Sequence, residues 1–208
     1  MRWHRCALGA SALTLLLLVA CDLSGAAPPP DPAAIGLKPG DLPSELQRCP
    51  ASGDIGSYLR FLQRTSPPAR DELASAWRDL QQKGASVAAV SVASQQPAAC
   101  SARVGTGLGP NATTLVVRFK DGGAASAAYA RGVLGFATPS ADEDVPGMAR
   151  GAATGIGRNA WVLERSVNER SLLVGLWQRH TIVVLFVAVD IDPLHAKQAI
   201  AMVDSRIQ

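Results

Sequence analysis

The sequence predicts an α+β domain: a mainly antiparallel sheet of about five strands with helices packed on it, ending in a β-meander and a terminal helix. Three observations carry this expectation. Segments with apolar residues at helical spacing are interspersed with segments of twofold alternation. The last third holds three strand-like runs joined by tight turns, and such short connections require antiparallel neighbours. Finally, Asp192-Pro193 opens a last helical pattern, an N-cap followed by proline at the first helical position.

Taken in order, the domain begins after a Pro- and Ala-rich stretch. Ala26-Ala27-Pro28-Pro29-Pro30-Asp31-Pro32, with Pro39 and Pro43, favours extended, semi-rigid chain, so residues 21–43 are expected to be a tether and 44–208 one α+β domain. Ser52 or Asp54 can cap a short helix with Ile55, Tyr58, Leu59 and Leu62 on one face. The next helix has clearer punctuation: Ser66 before Pro67, Asp71 and Glu72 early, Lys83 late, Gly84 at the end, and Leu73, Trp77 and Leu80 at helical spacing. Ala85–Ser94 reads as a strand of small residues. Thr113–Lys120 alternates, with Leu115, Val117 and Phe119 opposed by Thr114, Val116 and Arg118. Asp121 then caps an Ala-rich helix to about Leu134, followed by a loop from Gly135 to Gly157. The meander comprises Ala160–Val167, Ser171–Gln178 and Thr181–Asp190, with turns near Asn168-Glu169 and Arg179-His180. Residues 182–189 are apolar throughout, as in a central strand covered on both faces. The closing helix directs Ala196, Ile200, Val203 and Ile207 inward.

The front of the chain carries an address. Arg2 and Arg5 give a basic start, and a short apolar run from Ala7 to Ala20, centred on Leu15-Leu16-Leu17-Leu18, follows before Asp22. This is the layout of a secretory signal peptide over residues 1–20. A membrane-spanning helix needs about 20 apolar residues, and this run is shorter. Its end, Leu18-Val19-Ala20-Cys21, resembles the lipobox of bacterial lipoproteins. The resemblance implies cleavage between Ala20 and Cys21 and a diacylglyceryl cysteine, with acyl chains such as palmitate, at Cys21. One acyl chain binds a membrane reversibly, whereas two hold durably. The expected location is therefore the cell membrane, lipid-anchored and facing the extracytoplasmic side. In lipoproteins of bacteria with two membranes, Asp after the lipidated Cys is often a retention signal for the inner membrane, and Asp22 occupies that place.

Charge and cysteine usage narrow the function. Loss of Arg2 and Arg5 takes the formal charge of +3 down by two, to near neutrality, which argues against a nucleic-acid partner. Of four cysteines, Cys6 leaves with the signal and Cys21 is acylated, so Cys49 and Cys100 remain and are expected to pair in an oxidising compartment. Such a bridge contributes about 2–4 kcal/mol. Asp41-Leu42-Pro43-Ser44, the Cys49/Cys100 pair and the Trp177 hairpin before the closing helix resemble small extracytoplasmic lipoprotein domains of unassigned role, some similar to the sensor domains of envelope kinases. The resemblance brings no catalytic residues with it.

Chemistry-bearing motifs are weak. After the signal, His180 and His195 fall on separate surface elements, and neither a G-x-S-x-G elbow nor H-E-x-x-H is present. Gly105-Thr106-Gly107-Leu108-Gly109-Pro110 leads into a strand, so it lacks the helix a phosphate loop requires. Thr154-Gly155-Ile156-Gly157 precedes a strand and reads as a turn. Asp142-Glu143-Asp144 lacks the alternating spacing of a calcium loop. Neither a catalytic nor a metal site is expected, and no cofactor. Trp77, Trp161 and Trp177 are expected in the core; if one lines a pocket it is Trp177, with Gly175 on the same face leaving room. The expected function is a non-catalytic, sensor-like lipoprotein domain that binds an envelope protein or a small ligand; the alternative is a cell-envelope enzyme with dispersed active-site residues.

Overall fold

The computed structural model describes residues 30–107 and 109–207. The signal peptide, Cys21 and the first part of the expected tether lie outside them. Helices α1 (Pro32–Ile35), α2 (Ile55–Thr65), α3 (Pro67–Gln82), α4 (Gly122–Arg131) and α5 (Pro193–Asp204) surround one sheet. Its strands are β1 (Gln47–Arg48), β2 (Gly53–Asp54), β3 (Ala85–Ser94), β4 (Asn111–Phe119), β5 (Met148–Arg150), β6 (Ala160–Val167), β7 (Arg170–Arg179) and β8 (Ile182–Val189). The fold is α+β with a terminal helix, as expected, but the sheet has eight strands rather than about five. The additional ones, β1, β2 and β5, are two or three residues long, too short to carry a periodic pattern. The last of them lies inside the segment expected to be an irregular loop.

Every pairing is antiparallel, in the order β3-β4-β8-β7-β6-β5, with β1 and β2 both on the outer edge of β3. Tight turns fix the meander. Asn168 and Glu169 both take positive φ, 50° and 65°, the geometry that matches strand twist in a two-residue hairpin. β8 sits between β4 and β7 and is buried at all eight positions. Val183, Leu185, Val187 and Val189 join one core layer, beneath α2, α3 and α4. Ile182, Val184, Phe186 and Ala188 join the other, beneath α1 and α5. A strand covered on both faces needs no polar alternation, hence its uniform sequence.

Helix starts follow their caps. The Asp54 carboxylate accepts the Ser57 N–H at 2.9 Å, Asp121 accepts from Ala124 at 2.7 Å, and Asp192 from Leu194 at 3.0 Å. The last helix stops at Asp204, so Ile207, expected within it, is buried just beyond its end.

Residues 31–43 depart from the expected tether. Asp31 caps α1, Pro32 occupies its first position, and Ile35 and Leu37 are buried in the second core layer. The backbone comes so close to β3 that a Cβ at Gly36 would lie 2.5 Å from Ser91 Oγ. Asp41 then accepts two hydrogen bonds from the Arg206 guanidinium, at 2.8 and 2.5 Å, tying this strap to the end of α5. Proline enrichment suggested a free spacer, whereas the two apolar side chains provide the burial that docks it.

Candidate functional site

A cavity of about 790 Å³ opens on the first face of the sheet, between α3, the 102–106 segment and residues 131–137. On α3, Ala69, Leu73, Ala76 and Leu80 recur on one helical face. The two leucines supply apolar surface and the interleaved alanines leave the hollow. Leu62 of α2 and buried Val133 continue that surface, and half-buried Val104, Leu134 and Phe136 extend it to the opening.

The wall after α4 is a tight turn. Val133 N–H donates to the Phe136 carbonyl at 3.2 Å, and Phe136 N–H returns the bond to Val133 at 2.9 Å. Gly135 takes φ 82° and Leu134 takes φ 51°. The left-handed region costs a side chain such as leucine about 1–2 kcal/mol, so the turn holds Leu134 at the cavity under strain. Just before it, Gly132 (φ 89°) has no alternative residue: a Cβ would lie 2.3 Å from the Phe136 carbonyl oxygen.

The 102–106 wall is stapled from behind. Cys49 and Cys100 form a disulfide with Cα atoms 5.6 Å apart. Tyr58, which lines the cavity, donates its hydroxyl to the Cys100 carbonyl at 2.8 Å. Burial pushes that phenol up to about 12, so it stays protonated and keeps donating. Arg103 then reaches Glu72 of α3 at 2.7 Å, bridging the wall to the helix.

The charged groups of the cavity are unevenly matched. Arg103 is paired with Glu72, and Lys83 with Asp79 one turn before it. Arg131, exposed at the end of α4, has no hydrogen-bond or ion-pair partner among the described residues. Three cations thus face two carboxylates, both engaged. A second cavity, about 390 Å³, lies between residues 147–156 and α5. Its ionic groups are already paired: Lys197 with Glu164 at 2.8 Å, and Asp204 with Arg179 at 2.6 Å. The larger cavity falls within the roughly 300–1,000 Å³ typical of small-molecule sites and combines apolar lining with an uncommitted charge. It is the better candidate.

The residues singled out from sequence fare differently. Ala20 and Cys21 lie outside the described residues. Cys49 and Cys100 are joined and brace the site without lining it. Trp177 and Gly175 line neither of these two cavities. Trp177 is fully buried, its indole N–H without an acceptor among the described residues, and the room expected beside Gly175 is filled. A Cβ there would lie 3.0 Å from Ile200 Cδ1, because α5 packs directly over this face. His180 and His195 are exposed on separate elements. Among the described residues, no group of three or more His, Cys, Asp or Glu is placed to hold a metal ion. No helix among them is long and apolar enough to cross a membrane.

The cavity residues carried one readable signal, the leucine and alanine spacing on α3. Arg131 and the 133–136 turn did not stand out, since their meeting with α3 depends on the sheet bringing distant segments together. Comparison with protein-family models, with curated proteins and with solved structures finds no match to this chain.

Proposed function

We propose that this chain is an extracytoplasmic lipoprotein, held at the cell membrane through Cys21, whose folded part binds a ligand in the cavity between α3 and residues 131–137. The observation that carries the binding half is the cavity itself, with a partly apolar lining and one guanidinium that has no partner among the described residues. Export is supported by Leu18-Val19-Ala20-Cys21 and by the Cys49–Cys100 bridge, a bond that persists in oxidising compartments. Binding is the whole role in this reading, with no reaction catalysed.

Native mass spectrometry of the full chain purified from membranes tests the cavity. A stoichiometric bound mass is expected, and Ala137→Trp, which fills the cavity from an exposed position, should remove it without unfolding the protein. A bound mass that survives this substitution would move the site elsewhere. Chemical turnover of that ligand, abolished by a single Ser, Asp or His change, would make the protein an envelope enzyme instead.

A further inference from the structure

Resting on the reading of this cavity as the ligand site, we infer that its ligand is a single-headed anionic amphiphile, an apolar chain or ring system carrying one carboxylate. Charge complementarity makes the choice. Glu72 and Asp79 are each engaged by a cation, so the cavity does not offer a free carboxylate to a positive ligand. Arg131 offers a guanidinium with no partner among the described residues, and its planar fork matches a carboxylate with two parallel hydrogen bonds. Shape agrees with charge. The α3 residues lining the cavity run from Ala69 to Leu80, about 16 Å of helix at 1.5 Å per residue, so the hollow is long relative to its one charge without a partner among the described residues. A compact polar anion would leave the half-buried Val104, Leu134 and Phe136 unmatched, and a neutral hydrocarbon would leave Arg131 unmatched.

The test uses the full chain in membrane vesicles and two photoreactive probes of equal length, diazirine-bearing dodecanoate and the corresponding dodecanol. Label is mapped by mass spectrometry to α3 and to residues 132–137. The ratio of acid to alcohol labelling should be about tenfold higher in the wild type than in Arg131→Ala, the value of one charge-assisted contact. Comparing the two proteins cancels the different partitioning of the probes into lipid. Equal ratios in wild type and variant overturn the inference; where both probes still label the cavity, the ligand-site reading stands and only the anionic head falls. Absence of label on both segments overturns the inference too, and the native mass measurement then judges the cavity independently.

Discussion

At Asp54 a single carboxylate organises the start of α2. It accepts from the Ser57 side chain and backbone N–H, and these bonds hold its pKa below the ordinary 3.8. A group whose folded pKa is depressed stabilises fully above its unfolded value and loses that contribution as pH falls through the folded one. Asp54→Ala is therefore expected to cost about 1 kcal/mol near neutrality. In urea unfolding the gap between wild type and variant should close as pH drops below about 3.8, and a gap that persists at roughly pH 2 would remove the carboxylate from the explanation. Asp41 poses a sharper case. Its side chain is 2 % exposed and it faces Arg206, whose guanidinium also donates to the Ile35 and Gly36 carbonyls. Breaking a buried pair strands the remaining charge, so Asp41→Ala should cost about 3 kcal/mol, read as a lowered unfolding midpoint. Little change would mean that the strap contributes nothing to stability.

At the scale of elements, the disulfide is the device on which the cavity wall depends. It joins residues 51 apart in sequence, and closing a loop of that length removes unfolded-state freedom worth about 4 kcal/mol in the chain-entropy account. Replacing Cys49 and Cys100 by serine should lower stability by roughly that amount, measured by denaturant unfolding, and loosen the 102–106 wall, measured by faster amide exchange there. Full retention of stability would show that the wall is held by packing alone. The longer elements were legible because each obeys a period or a cap. Asp54, Asp121 and Asp192 announce three helices, and the apolar run of residues 182–189 announces a strand with two covered faces. The short ones were not. β1 and β2 exist because β3 offers an edge to pair with, a condition no local residue encodes. Likewise Pro32 and its neighbours read as spacer, although Asp31-Pro32 was already a cap followed by a first-turn proline.

For the whole molecule, the two faces of the sheet have different roles. The strap from Pro32 to Asp41 packs on the α5 side, so the chain enters the described structure on the face opposite the cavity. Tethering by two acyl chains at Cys21 is the central claim of the proposed function, and it would make the folded part a membrane component. Its most direct measurement is the intact mass of the protein extracted from the membranes of an expressing bacterium. The predicted result is a chain that begins at Cys21 and carries a diacylglyceryl mass, lost in Cys21→Ser. A chain that begins at another residue, or carries no acyl mass, would contradict it.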